Sequence, residues 1–304
     1  MPPSPFNAVL VPQRRGQHSG GMAWRCTTDV EEYDQAVGDL LRADPVVQTL
    51  PLTVLAAIRA GRYPRRLLGW WHEGPTWGAV LHTPPHELIV AALPEPAVGP
   101  LVDGLLERGW LPGGVFGATR SAALFAAVWA HRTGCQALLG HYQRLYALDS
   151  VRPPPQPNGS ADPVRKKDRP VLLRWLAAFD AEAGTRPIDL EARVDQLIGE
   201  CRALVWTDPD GSPVSVVAWS PLVAGMVRLG PVYTPPEHRR HGYASALTAA
   251  ACRRALDSGA RHLVLFTDLA NPTSNEIYQR VGFRPVEDRL RVTFASPPTS
   301  PTAG

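Results

Sequence analysis

The chain has 304 residues, a length typical of about two domains. Hydrophobic residues make up 44% of it and charged residues 19%, a balance that excludes wholesale disorder. The formal net charge is only +3, with both signs spread along the chain, which argues against a nucleic-acid-binding protein, and no apolar run reaches the roughly 20 residues of a membrane-spanning helix.

Residues 1–21 lack periodicity, and we interpret them as a flexible tail. In residues 22–150, apolar spacing and turn residues predict a first segment of mixed helices and strands. The predicted elements are a helix from Asp29 to Leu41, strands at 67–71, 76–81 and 87–92, a helix at 98–108, a strand at 115–118, a helix at 121–132 and a strand at 143–148. A Pro-rich linker is predicted at 151–159.

Residues 160–295 follow the same order of elements. A first helix is predicted after Asp168 as its N-cap, with an apolar face from Leu172 to Phe179. The elements after it are a helix at 190–198, strands at 203–207, 214–219 and 226–233, a helix at 243–258, a strand at 262–267, a helix at 274–281 and a strand at 290–294. Residues 296–304 resemble a second flexible tail. The repeated order indicates an internal duplication.

Four cysteines lie far apart without a CxxC pair, which argues against a zinc site and against a disulfide framework. Residues 1–21 also lack the apolar core of a signal peptide. We therefore expect a cytoplasmic protein without a metal. Only two of the 31 basic residues are lysines, a bias typical of GC-rich bacterial genomes.

The most informative segment follows the predicted strand at 226–233. It contains a loop with Arg239, Arg240 and His241, and then Gly242 at the start of a helix. Backbone N–H groups in a first helical turn have no intrahelical partner, and the helix dipole adds partial positive charge there. A glycine allows a ligand to approach the backbone closely. This arrangement is typical of a pyrophosphate-binding site.

These residues resemble the GNAT superfamily of N-acetyltransferases. The family motif [Q/R]xxGx[G/A] is matched from Arg239 to Ala244, and a second family pattern is matched by Asn271, Tyr278 and the Gly282-Phe pair. The resemblance covers about residues 160–295. It implies an α/β (α+β layered) fold with two GNAT-like domains, each a mixed, mostly antiparallel sheet flanked by helices.

The resemblance also implies a site for acetyl-CoA. The end of the strand, at Val232, Tyr233 and Thr234, would pair with the pantetheine arm. The pyrophosphate would be held by Arg239, Arg240, His241, Gly242, Tyr243 and Ala244. Contacts from the opposite side would come from Asn271, Ser274 and Asn275. Tyr278 matches the usual general acid, and a phenol suits protonation of a thiolate as long as it stays neutral itself.

The general base is left open at this point. The strand at 226–233 contains no acidic residue. The carboxylates near the expected site are those of Asp180, Glu182, Glu237 and Asp268. A water chain or a backbone carbonyl would serve instead.

The first segment lacks the corresponding motif. At the equivalent point it has Pro94, Glu95 and Pro96, which remove backbone donors and add a negative charge where a phosphate would bind. We interpret this half as a degenerate GNAT-like domain that covers an edge of the catalytic domain and walls part of the substrate cleft. Tryptophans that could contribute to that wall, or to core packing, are Trp70, Trp71, Trp77, Trp110 and Trp129.

The function expected from the sequence is transfer of an acetyl group from acetyl-CoA to a primary amine, with a small-molecule acceptor favoured. One alternative is a non-enzymatic acyl-CoA sensor or regulatory protein. Another is a transferase that uses a different acyl-CoA or a protein amine. We expect neither a nucleic acid nor a membrane as a partner, and the oligomeric state is left open.

Overall fold

The computed structural model describes residues 23–184 and 189–295. The predicted tails, 1–21 and 296–304, lie outside the described residues. Residues 151–157, within the predicted linker, have neither helical nor strand structure. Among the described helices, none has the length and apolar character needed to cross a membrane.

The first half of the chain contains six strands and four helices within the described residues. In chain order they are β1 (Arg25–Thr27), α1 (Val30–Ala43), α2 (Thr49–Arg59), β2 (Leu67–Glu73), β3 (Thr76–His82), β4 (Leu88–Ala92), α3 (Glu95–Glu107), β5 (Gly114–Ala118), α4 (Thr119–Thr133) and β6 (Gln136–Leu148). Helix α2 is not predicted from the sequence. It buries Leu52, Leu55 and Ile58 along one face.

The second half contains six strands and four α-helices within the described residues. They are β7 (Ser160–Pro163), α5 (Arg169–Glu182), α6 (Leu190–Gly199), β8 (Ala203–Thr207), β9 (Pro213–Trp219), β10 (Met226–Tyr233), α7 (Tyr243–Asp257), β11 (His262–Asp268), α8 (Pro272–Val281) and β12 (Phe283–Ala295). Asp168 is the N-cap residue of α5, as predicted, but its side chain does not cap the helix. Its carboxylate accepts the Arg165 backbone N–H at 2.8 Å and makes no side-chain cap to α5.

All twelve strands form one sheet, in the order β1-β2-β3-β4-β5-β12-β6-β11-β10-β9-β8-β7. Only β4–β5 and β10–β11 pair in parallel, and the other neighbours are antiparallel. The predicted fold class, a mixed and mostly antiparallel sheet flanked by helices, is confirmed. The sheets of the two halves are continuous with each other, which was not predicted.

The continuity arises because the halves exchange strands. Strand β6 of the first half lies between β11 and β12, and β12 of the second half lies between β5 and β6. Both strands are longer than predicted, and each contributes to the core of the other half. Tyr146 of β6 packs in the cluster that includes α7 and β11, while Leu290 and Val292 of β12 pack among first-half residues. These three side chains are at most 1% exposed.

The tryptophans of the first half pack inside that half. Trp70, Trp71 and Trp129 are 6%, 1% and 3% exposed, and they lie in its two hydrophobic clusters. None of the five tryptophans considered for the cleft wall lines the large cavity described below. Core packing therefore accounts for these three residues, because burial of an indole ring is strongly favourable in an apolar interior.

Candidate functional site

The parallel strands β10 and β11 separate along their length. Registered pairs run from Met226–His262 to Leu229–Leu265, and the pairing of β10 with β9 has a register shift directly afterwards, between Leu229 and Val232. Pro231 within this shift has no backbone N–H to donate. Strand β11 continues beside β6 as far as Asp268. A cleft therefore opens between the carboxyl-terminal ends of β10 and β11.

A cavity of about 1430 Å³ occupies this cleft. It is the place where the predicted site residues meet. Its lining includes Val232, Tyr233, Thr234, Arg239, Arg240, His241, Gly242, Tyr243, Ala244, Asn271, Ser274 and Tyr278. The lining thus joins the end of β10, the following loop, the start of α7 and one face of α8. The roles assigned to these residues stay predictions.

The first turn of α7 presents free backbone donors to the cavity. The first intrahelical bond runs from the Ala246 N–H to the Gly242 carbonyl, so the N–H groups of Tyr243, Ala244 and Ser245 precede any intrahelical acceptor. Gly242 has φ +83°, and Arg240 also has a positive φ of 66°. A Cβ on Gly242 would have no atom within 4 Å, so the space above this backbone is open. The dipole of α7 adds positive potential at the same point.

The two loop arginines have different surroundings. The Arg239 guanidinium donates to both Glu182 carboxylate oxygens at 2.8 and 2.9 Å and to the Thr234 carbonyl at 2.9 Å. It also lies over the Tyr233 ring, 5.9 Å from the centroid. Arg239 therefore links the loop to α5 and β10, and its charge is largely neutralised. Arg240 is exposed and lines the cavity.

Two predicted asparagines hold the turn between β11 and α8. Asn271 caps α8, with its side-chain oxygen accepting the Ser274 N–H at 3.0 Å. Asn275 donates to the Asp268 and Asn271 carbonyls at 2.9 and 2.7 Å and accepts the Tyr146 hydroxyl at 3.0 Å. The structure places Asn275 outside the cavity lining, because its amide is already engaged within the turn. Direct contact of this side chain with a cofactor stays a prediction.

Tyr278 is the buried phenol of the site. It is 9% exposed, packs edge-on against Phe283 with ring centroids 6.1 Å apart, and lines the cavity. Burial raises the pKa of Tyr278 to about 12, because the surrounding protein disfavours the charged phenolate. The hydroxyl is therefore protonated throughout the neutral range, as a proton donor must be.

The four carboxylates considered as bases differ in availability. Asp180 is 5% exposed and pairs with Arg193 at 3.1 Å. Glu182 lines the cavity but is held by Arg239. Glu237 is exposed and lies outside the lining. Asp268 lines the cavity and contacts a histidine from the other half of the chain.

Sequence reasoning missed the part of the lining that comes from outside the second segment. His141 and Gln143 of β6 line the cavity, as do the linker residues 153–157. The first half therefore contributes β6 to the cavity lining, whereas its five tryptophans considered for a cleft wall do not line the cavity; a role of this half in binding a substrate stays a prediction. No local signal marks β6 for this position, because its place beside β11 depends on the strand exchange.

The cavity contains three sets of groups with different chemical properties. Free amides and the dipole of α7 favour an anion such as a pyrophosphate near Gly242. The separated strands leave backbone groups of β10 free for an extended ligand. A neutral phenol at Tyr278 lies in the same cavity.

Comparison with known proteins agrees with this geometry. A family model described as the acetyltransferase (GNAT) family matches residues 169–283. Among solved structures, a GNAT-family acetyltransferase from Colwellia psychrerythraea is 12% identical with a TM-score of 0.58, covering 89% of this chain and 98% of its own. A GCN5-related N-acetyltransferase from Sphaerobacter thermophilus is 15% identical with a TM-score of 0.60, covering 90% and 95%.

A tandem GNAT protein from the clavulanic acid biosynthesis pathway is 15% identical with a TM-score of 0.52, and the match covers 91% of this chain and all of that one (100%). At these identities the likeness concerns the fold alone. Among curated proteins, none matches the sequence.

Proposed function

We propose that this protein is an acyltransferase that transfers an acetyl group from acetyl-CoA to a primary amine, a proposal that starts from the match of residues 169–283 to the acetyltransferase (GNAT) family model. The observation that carries the proposal is one cavity that combines the free amides of the first α7 turn, the separated end of β10 and the protonated Tyr278 hydroxyl. Each of these groups serves a different part of one reaction.

The residues present fit coenzyme A. The N–H groups of Tyr243, Ala244 and Ser245 would donate to its pyrophosphate, with Arg240 supplying charge. Backbone groups of β10 near Val232 would pair with the pantetheine arm. The open space above Gly242 removes any steric bar to a close approach.

When bound, acetyl-CoA supplies a thioester as the acetyl donor. The chain orients the acceptor amine beside it for direct attack, which gains from proximity because both reactants are held together. Tyr278 donates its hydroxyl proton to the departing sulfur. The raised pKa of Tyr278, about 12, keeps that proton in place until the carbon–sulfur bond breaks.

The acceptor proposed is a small-molecule amine. The linker and β6 wall the cavity in addition to the second half's own elements, which favours a compact acceptor over a folded protein surface. A protein amine or a different acyl-CoA would be distinguished by comparing turnover across a panel of each. Neither a nucleic acid nor a membrane is part of the proposal, and a bacterial cytoplasmic location stays a prediction.

Calorimetric titration with acetyl-CoA tests the proposal, using Gly242→Asp as the disruptive variant. The added carboxylate would lie where the pyrophosphate binds, so we expect one site per chain in the wild type and at least a 100-fold weaker affinity in the variant. This loss corresponds to about 2.7 kcal/mol.

Gly259→Asp is the matched control. Gly259 follows the other end of α7, also has a positive φ (94°), and has no atom within 4 Å of an added Cβ. Its substitution repeats the backbone strain away from the cavity and should leave affinity unchanged. Equal losses in both variants would show a folding effect, and a wild type that does not bind acetyl-CoA would contradict the proposed function.

A further inference from the structure

Strand β6 carries a β-bulge where it lines the cavity. Its register against β12 shifts between positions 139 and 142, so that β6 has two residues, Gly140 and His141, where β12 has only Arg291. A bulge re-aims the side chain at the extra residue and is common next to active sites. One of the two bulge residues, His141, belongs to the first half and lines the cavity of the second.

His141 is oriented by a carboxylate. Its Nδ1 lies 2.9 Å from Oδ2 of Asp268, and Oδ1 of Asp268 accepts the Ala270 N–H at 2.8 Å. An ionised carboxylate can only accept hydrogen bonds, so Nδ1 carries the ring hydrogen. The neutral ring then has its lone pair on Nε2, the arrangement that makes a histidine a proton acceptor.

The Nε2 atom faces the end of α5. It lies 3.7 Å from the position that a Cβ on Gly184 would occupy, and the neighbouring Glu182 and Ala183 line the cavity. The His141 side chain is 57% exposed, so it is accessible to a ligand. His141, Asp268 and Tyr278 thus belong to one cavity and come from three different elements.

We propose that His141 is the proton acceptor for the attacking amine, with Asp268 as its positioning residue; the inference rests on the proposed function. The amine nitrogen bonds to the acetyl carbon while the carbon–sulfur bond breaks. Nε2 of His141 takes the proton lost by the amine, and the Tyr278 hydroxyl gives its proton to the sulfur. Solvent then removes the first proton and restores the second, so the chain is unchanged after each turnover.

The first test is the ring tautomer, measured by nitrogen-15 NMR on the full chain without ligand. The His141 signals are assigned by their loss in His141→Gln. We expect the neutral ring to carry its hydrogen on Nδ1, and Asp268→Asn to convert it to a mixture of tautomers. A ring with its hydrogen on Nε2 in the wild type would overturn the inference.

The second test uses bromoacetyl-CoA as a probe and needs no known acceptor. An unprotonated Nε2 beside the acyl group displaces bromide and forms a carbon–nitrogen bond. Peptide mass spectrometry should find the label on His141, with protection by excess acetyl-CoA and slower labelling in Asp268→Asn. His238 and His241 also line the cavity. Label found on either of them and not on His141 would overturn the inference, but it would not contradict binding of acetyl-CoA.

The third test is turnover with whichever amine the acceptor panel identifies. His141→Gln should lower kcat/KM by about 100-fold or more, the usual effect of losing a general base, without weakening acetyl-CoA binding. His131→Gln is the control, because His131 is an exposed histidine of α4 outside the cavity lining. Full activity in His141→Gln would refute the role of His141 and leave the proposed function standing. Absence of acetyl-CoA binding in the wild type would refute both the proposed function and the role of His141.

Discussion

At the level of single residues, Tyr278 shows how burial keeps a phenol protonated. A phenol exposed to water has a pKa near 10, whereas burial raises the pKa of Tyr278 to about 12. The hydroxyl therefore stays neutral over the whole range in which acetyl transfer would occur. This consequence depends on packing against residues such as Phe283, which only the fold brings into contact with it.

We predict that Tyr278→Phe lowers kcat by about 100-fold while acetyl-CoA affinity changes little, because only the proton donor is removed. Thiol release measures the first quantity and calorimetry the second. Tyr33→Phe is the matched control: Tyr33 is also buried, and its hydroxyl lacks a hydrogen-bond partner among the described residues. Unaltered turnover in Tyr278→Phe would remove this residue from the mechanism.

Arg239 illustrates a motif residue whose contacts differ from those first expected. Its position in the loop predicted a charge for the pyrophosphate, but its guanidinium pairs with Glu182 and the Thr234 carbonyl. The interaction holds the loop against α5 and β10. A motif identifies the residue type at a position, while the direction of a long side chain depends on which partners the fold places nearby.

At the level of elements, β6 and β12 are joined by a cross-strand ion pair as well as by their backbones. Arg144 and Asp288 are registered partners, and the guanidinium donates to both carboxylate oxygens at 2.6 and 2.9 Å. The hydrogen bonds from Arg144 hold the pKa of Asp288 below its usual range. A lowered folded-state pKa stabilises the protein above the unfolded value of about 4, and this stabilisation is lost as the pH falls through the folded value.

We predict that Asp288→Asn lowers the free energy of unfolding at pH 7 by about 0.5–1 kcal/mol, a modest amount because both side chains are about one-third exposed. The difference in the free energy of unfolding between Asp288→Asn and the wild type should become smaller as the pH is lowered from 5 to 3. Urea denaturation across this range measures it. A difference that does not depend on pH would show that the ion pair is not its cause.

At the level of the whole molecule, the exchanged strands make the two halves interdependent. Removing β6 would leave β11 and β12 without a shared neighbour, and removing β12 would take Leu290 and Val292 out of the first-half core. Each half is therefore incomplete without one strand of the other. The same exchange carries His141 into the cavity of the second half.

We predict a single cooperative unfolding transition in urea, coincident by tryptophan fluorescence and far-ultraviolet circular dichroism. Val292→Asp should lower its midpoint, because a charge would be buried in the first-half core by a strand of the second half. Val286→Asp is the control on the same strand, where the side chain is 41% exposed. Two separate transitions, with only one of them sensitive to Val292→Asp, would contradict this interdependence.

The features that the sequence determined by itself are local. The helix at 243–257 and the strand before it follow from apolar spacing, and Gly242 supplies the left-handed backbone that starts the helix. The spacing from Asn271 to Tyr278 lies within one helix and its cap. Contacts between residues a few positions apart depend on their own side chains and backbone. The fold class, the match of residues 169–283 to the GNAT family model and twelve of the residues that line the cavity could therefore be predicted.

The tertiary structure alone decided what depends on pairing between distant segments. Strand edges offer the same N–H and C=O groups to any partner, so nothing within residues 136–148 indicates that β6 lies between β11 and β12. The contact between His141 and Asp268, 127 positions apart, follows from that choice. Sequence patterns therefore could not identify His141 as the proposed proton acceptor, although His141 and Asp268 are both visible in the sequence.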